Sequence, residues 1–124
     1  MALAKQLMGA GFSSGQASAI GGLYTTYAAA GSTQADATTI GAGLSIVTAA
    51  DATKGVILSG QVGDSVEIFN NSGSTLKVYP DSGAAIAVPG TGLGTANASY
   101  AHTTYAVVWY TKITATQWLP TKSA

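Results

Sequence analysis

The sequence predicts a mainly β fold: a small antiparallel β-sandwich or barrel, jelly-roll-like, with a short N-terminal helical arm. Three observations lead to this prediction. From residue 55 onward, short runs of β-branched and aromatic residues alternate with polar ones, as half-buried strands do. Glycine-rich turns, such as 60–63 and 89–94, separate these runs. The first ten residues instead favour a helix, because Ala, Leu, Lys, Gln and Met prefer that conformation.

The predicted docking arm covers residues 1–22. Residues 2–10 place their apolar side chains on one helical face, and a second short helix leads up to Gly21. A piece this small buries too little surface to be stable alone, so it must dock on something. The acceptor is either the β domain of the same chain or a neighbouring protein. We expect five apolar side chains to make the contact: Leu3, Leu7, Met8, Phe12 and Ile20.

The rest of the chain divides into two segments by composition. Residues 23–54 are rich in Thr, Ala and Gly, and they predict a connector that contains one strand near 43–49. Residues 55–124 keep the β pattern throughout and predict the β domain, with a strong strand over 105–113 and a last one over 116–119.

The stretch VEIFNNSGSTLKVYP, which begins at Val66, alternates, turns and alternates again. Antiparallel pairing of Val66 with Val78 would gather the apolar side chains on one face and set Glu67 opposite Lys77. Gly73 would then take the left-handed position of the turn, where a residue without a Cβ fits best. The stretch therefore predicts a hairpin that serves as scaffold.

Aromatic residues crowd the last quarter of the chain, and the predicted strand over 105–113 is apolar on both faces. A strand of this kind is buried on both sides, either between two sheets or at a subunit interface. We expect four residues of this region to form the core and the packing between subunits: Val108, Trp109, Tyr110 and Trp118.

The charge content bounds the possible partners. Charged residues make up 8% of the chain and the formal net charge is zero, with five Lys and no Arg. A free monomer usually keeps a charged surface, so sparse charge favours coverage by other subunits; a weakly charged monomer is the alternative. Nucleic acid is excluded as a partner because no basic cluster exists to neutralise phosphates. No run of about 18 apolar residues is present, so we expect no membrane span.

The polar residues offer little catalytic chemistry. His102 is the single histidine and the chain has no cysteine, so the usual transition-metal ligand sets and nucleophile–base pairs are missing. The glycine-rich stretch 90–95 is not followed by the lysine and helix of a phosphate-binding loop. We therefore expect no enzyme activity, no metal and no cofactor.

Several motifs between Gly63 and Leu119 together resemble a module of tailed-bacteriophage virion proteins. They are Gly63-Asp-Ser-Val-Glu-Ile-Phe-Asn-Asn-Ser-Gly73, Leu76-Lys-Val-Tyr-Pro80, Gly83-Ala-Ala-Ile86 and Thr116-Gln-Trp-Leu119. The start of the chain, from Leu3 to Gly11, also looks like the start of such head proteins. The resemblance implies a capsid decoration (cement) protein or head fibre that forms a homotrimer. It also implies synthesis in the host cytoplasm, a place on the outer surface of the head, and contact of the arm with the major capsid protein.

A second hypothesis belongs to a different functional class. The chain would then be a receptor- or glycan-binding tip module of a phage fibre or adhesin. Its ligand face would be formed by Tyr100, His102 and Tyr105.

Overall fold

The structure is a computed structural model that describes residues 24–122, so the expected helical arm over residues 1–22 lies outside the described residues. The described part is mainly β and contains ten strands. The strands are β1 (Tyr24–Ala28), β2 (Thr38–Ile40), β3 (Gly43–Ala49), β4 (Gly55–Leu58), β5 (Ser65–Asn70), β6 (Leu76–Tyr79), β7 (Ala85–Ile86), β8 (Tyr100–His102), β9 (Val107–Thr114) and β10 (Gln117–Lys122).

These strands form two sheets. Sheet A has six strands in the order β1-β3-β5-β9-β10-β7, and sheet B has four in the order β2-β4-β6-β8. Up to β6 the chain alternates between the sheets, so each return to a sheet adds a strand parallel to the previous one. In sheet A, Tyr24 on β1 is aligned with Leu44 on β3, and Leu44 is aligned with Glu67 on β5.

The later strands pair differently. β8 pairs antiparallel with β6, and β9 pairs antiparallel with β5. β10 pairs antiparallel with β9 and parallel with β7. Both sheets are therefore mixed, and the expectation of an antiparallel fold is wrong on this point. The segment expected to be a connector, residues 23–54, contributes β1, β2 and β3 to these sheets.

The predicted hairpin does not form, because β5 lies in sheet A and β6 lies in sheet B. The chain crosses between the sheets at residues 71–75, and the buried Asn70 side chain organises the crossing. Its Nδ2 donates to the carbonyl oxygens of Ser74 at 2.8 Å and His102 at 3.1 Å, while its Oδ1 accepts from the Ser72 hydroxyl at 2.6 Å. Alternation is the same in both arrangements, so it did not reveal the crossing.

The inward faces of the two sheets share one core. Both strands of the failed hairpin supply it, one from each side, which is why each alternates so regularly. Its fully buried side chains have an exposed fraction of 1% or less: Ile40, Val47, Val56, Leu58, Val66, Ile68, Leu76, Val78, Ala84, Val108, Tyr110 and Trp118.

Candidate functional site

The outer face of sheet A, the side turned away from the core, is the most unusual surface of the described residues. Side chains that are aligned across neighbouring strands point to the same face, so the register defines the members of this surface. Its apolar members are Tyr24, Leu44, Ile46, Phe69, Val107, Trp109, Ile113 and Leu119.

Two rows of aligned residues form the centre of this surface. In one row Thr26, Ile46, Phe69 and Val107 follow one another across β1, β3, β5 and β9. In the next row Leu44, Glu67 and Trp109 follow one another across β3, β5 and β9.

Four of these eight apolar side chains are open to solvent and the other four are half-buried. Tyr24 is 59% exposed, Ile113 is 42% exposed and Trp109 is 37% exposed. A contiguous apolar patch of this kind on a soluble protein marks an interaction surface, whereas scattered apolar residues do not.

Glu67 is the one charged side chain among the outward-facing residues of the described strands of sheet A. Its register partners Leu44 and Trp109 lie on either side, and partial burial raises the pKa of its carboxyl group. No other residue of the described chain compensates this burial with an ion pair. A carboxylate in these surroundings gains from a cation supplied by a partner.

The outer face of sheet B is different, because its own chain covers part of it. The segment before β2 first pairs with the sheet edge, where Ala30 bridges to Gly55, and then passes over this side. There the Tyr79 hydroxyl donates to the carbonyl oxygen of Ser32 at 3.1 Å, and the Gln34 amide donates to that of Pro80 at 2.7 Å. On sheet A a loop reaches the β10 end, where the Gln117 amide donates to the carbonyl oxygen of Leu93 at 3.0 Å.

The structure separates the four residues predicted for the core and the inter-subunit contact. Val108, Tyr110 and Trp118 point inward and are fully buried within one chain, so they have no surface to offer a partner. Trp109 points outward into the apolar surface and stays available. The five predicted arm residues (Leu3, Leu7, Met8, Phe12 and Ile20) lie outside the described residues.

The three residues of the alternative ligand face are not brought together on one surface. His102 is fully buried, with Nδ1 2.8 Å from the Tyr110 hydroxyl and Nε2 2.7 Å from the carbonyl oxygen of Ala106. A carbonyl cannot donate, so Nε2 carries the proton and Nδ1 accepts from Tyr110. Burial lowers the pKa of His102 and raises that of Tyr110 well above its ordinary value.

The two tyrosines of that set also differ from each other. Tyr100 is half-buried and packs edge-on against the Tyr110 ring, with ring centroids 5.8 Å apart. Tyr105 is 64% exposed and lies just before β9 with a φ of 59°, a left-handed conformation that is rare for a bulky residue. Tyr105 is therefore the one member of the set that a ligand could reach.

A buried polar cluster joins the turn after β6 to sheet A. Asp81 accepts from Lys112 Nζ at 2.8 Å and from the Trp118 indole Nε1 at 2.7 Å, and Lys112 also donates to the carbonyl oxygen of Gly60. Burial raises the pKa of Asp81, but the hydrogen bonds from Lys112 and Trp118 outweigh it and leave that pKa below its ordinary value. These groups satisfy one another, so the cluster is structural.

Within the described range, no three His, Cys, Asp or Glu side chains come close enough together to hold a metal ion. Nor does any helix of that range have the length and apolar character needed to cross a membrane.

Sequence reasoning missed Leu44, Ile46 and Phe69 as members of the interaction surface. The signal for them was present in part: residues 43–47 and 66–69 are apolar apart from Ser45 and Glu67, and residues 107–110 are apolar throughout. Their common outward side became visible only once β3, β5 and β9 were known to be neighbours.

No protein-family model, no curated protein and no solved structure matches the chain.

Proposed function

We propose that this chain is a non-enzymatic structural protein that decorates the outer surface of a bacteriophage head and stabilises the assembled shell. The observation that carries the proposal is the apolar outer face of sheet A, with Trp109 exposed at its centre. The virion-type motifs between Gly63 and Leu119 support the same class of protein.

The size of the surface suits a subunit interface. The six strands of sheet A contain 34 residues in all. At about 4.8 Å between strands and about 3.3 Å per residue, the face measures about 540 Å². Specific protein interfaces bury about 800 Å² on each partner, so this face would supply about two thirds of one contact.

The protein would make two kinds of contact, one between its own copies and one with the shell. The outer face of sheet A packs against another subunit and forms the homotrimer, and the arm over residues 1–22 binds the major capsid protein. The two sheets form a sandwich that holds the contact surfaces rigidly. Because such a protein binds only the assembled shell, its binding energy shifts the equilibrium towards that shell by mass action.

Light scattering of the purified chain, followed by co-sedimentation with mature and precursor phage heads, tests this proposal. We expect an oligomer that sediments with the shells and raises the temperature at which they come apart. A truncated chain without residues 1–22 should keep its oligomeric state but lose shell binding. A stable monomer that ignores both kinds of shell would overturn the proposal, and so would specific binding on a glycan array without any shell binding.

A further inference from the structure

The outer faces of the two sheets carry opposite charges. Glu67 is the one charged residue on the outer side of sheet A, and Lys77 is the one charged residue on the outer side of sheet B, within the described strands. Each lies on a strand in the interior of its sheet, Glu67 on β5 and Lys77 on β6.

Neither charge is paired within the described chain. The ion pairs of residues 24–122 join Lys54 to Asp51 and Lys112 to Asp81, and neither involves Glu67 or Lys77. The two sheets point these side chains in opposite directions, so they do not reach each other in one copy. Both are half-buried among their neighbours, where an opposite charge from outside gains more than it would in open solvent.

The neighbours of the two charges are complementary in size on one side. On sheet A the row through Glu67 continues to the large side chain of Trp109. On sheet B the row through Lys77 continues to the small, exposed Ala101, whereas on the other side the Tyr79 ring lies over Gly55. A large side chain that faces a small one allows two layers to interdigitate at the density of a protein interior.

We propose that the outer face of sheet A of one copy packs on the outer face of sheet B of the next copy, with Glu67 beside Lys77. The occupant of the apolar surface is thus a second copy of this chain, and the contact rests on the proposed function as an assembly protein. Trp109 then lies over Ala101, whose small side chain leaves room for the indole.

A contact between unlike faces also decides the symmetry of the assembly. A two-fold contact of sheet A with sheet A would bring Glu67 close to its own counterpart, and facing like charges are destabilising. A contact between unlike faces instead repeats from copy to copy, so it closes into a ring or continues as a filament. A ring of three agrees with the trimer expected from the resemblance.

Cysteine cross-linking tests this contact directly, because the chain has no cysteine of its own. The variants are Glu67→Cys, Lys77→Cys and the double variant Glu67→Cys/Lys77→Cys, each treated with a bifunctional maleimide and run on a denaturing gel. Packed sheets lie about 10 Å apart, a gap that a maleimide reagent of about that length spans but a disulfide, which needs Cα atoms within about 7 Å, does not. Within a single copy the two thiols point away from each other on opposite sides of the two sheets, so the reagent cannot join them.

We expect each single variant alone to stay monomeric on the gel. A mixture of the two single variants should give covalent dimers, and the double variant should give a ladder that ends at three copies. Covalent dimers from Glu67→Cys alone would overturn the contact in favour of a two-fold one. An oligomeric double variant that forms no cross-link would place the interface elsewhere and also overturn it.

Charge exchange gives an independent test of the same contact. Glu67→Lys and Lys77→Glu should each lower the oligomer population at least tenfold, and the double exchange should restore it. Circular dichroism and the unfolding midpoint show whether each variant is folded. Unchanged association of both single variants would overturn the inference. Co-sedimentation with shells distinguishes failure of this contact from failure of the proposed function. A chain that binds shells but does not form the contact still decorates them.

Discussion

Glu67 on β5 is the register partner of Trp109 on β9, so a carboxylate and an indole lie side by side on the outer face of sheet A. The chain keeps its second tryptophan, Trp118, in the core beneath the same sheet. Substitution of Trp109 therefore tests the outer surface of sheet A, and substitution of Trp118 tests the core.

Replacement of the two tryptophans should lower stability by different amounts. Trp109 is 37% exposed and lies outside the core, so Trp109→Ala should lower the free energy of unfolding by only about 1–2 kcal/mol. Trp118→Ala opens a cavity and leaves the Asp81 carboxylate short of a donor, so it should cost about 3–5 kcal/mol. Urea unfolding of dilute protein measures both. Equal losses from the two variants would contradict the assignment of Trp109 to the surface.

Stability should fall as the pH drops below about 6.5, the ordinary pKa of histidine. Burial lowers the pKa of His102 in the folded state. At a pH between the two pKa values, His102 is therefore protonated in the unfolded chain and neutral in the folded chain. The contribution of His102 is therefore fully present above the unfolded pKa and is lost as the pH falls towards the folded one. The groups that face the ring are the Tyr110 hydroxyl and, at longer range, Lys122.

Urea unfolding at pH 7.5 and pH 5.5 measures this effect, and His102 is the only histidine that titrates in this range. The midpoint should be lower at pH 5.5. His102→Gln should be less stable at pH 7.5 but should lose most of this pH dependence. A midpoint that rises on acidification would show that the folded state prefers the protonated ring.

Removal of the Asp81 carboxylate should destabilise the fold by about 2–3 kcal/mol, because it leaves the Trp118 indole without its acceptor and the Lys112 ammonium with only the carbonyl oxygen of Gly60. The matched control is Lys54→Ala, which breaks the exposed ion pair of 3.9 Å with Asp51 and should have no measurable effect. The comparison is made by thermal unfolding of Asp81→Ala and the control. Similar melting temperatures for the two variants would show that the buried cluster contributes little.

The left-handed conformation of Tyr105 should make this position tolerant of asparagine. Tyr105→Asn should leave the stability unchanged or raise it by up to about 1 kcal/mol, because asparagine adopts this conformation more readily than tyrosine does. Gly73 lies in the crossing between β5 and β6 and has a φ of 81°. Gly73→Ala is the opposite substitution, because it puts a Cβ into the left-handed conformation, and it should lower the free energy of unfolding by about 1 kcal/mol. Chemical unfolding of both variants measures the difference. A clear loss of stability from Tyr105→Asn would indicate that the ring makes a stabilising contact.

The sequence allowed the strand positions to be predicted better than their partners. The alternation over residues 66–69 and 107–113 places the strands and their inward faces correctly, because period-two burial depends only on the local pattern. The choice between a hairpin and a crossing between sheets depends on what lies beyond each strand. Here that choice is associated with Asn70, a single polar residue that is buried at the end of β5.

The candidate surface was predictable only in part for a related reason. Trp109 lies in a strand with two apolar faces, which indicated a second contact partner. The parallel winding that brings β1 and β3 into one sheet with β5 arises from a Thr- and Ala-rich segment with a weak pattern, so Leu44 and Ile46 could not be assigned to the same surface. The left-handed backbone at Tyr105 has no local signal at all, and the strand that was predicted to begin at residue 105 begins at Val107 instead.

Sedimentation equilibrium of the wild-type chain and of Trp109→Lys tests the central claim, that the outer face of sheet A is an assembly surface, most directly. We predict that the wild-type chain has three times the 12.3 kDa mass of one copy, and that Trp109→Lys has the mass of one copy while it keeps the same circular dichroism spectrum. A wild-type chain that stays monomeric at every concentration, or a Trp109→Lys variant that associates as strongly as the wild type, would contradict the claim.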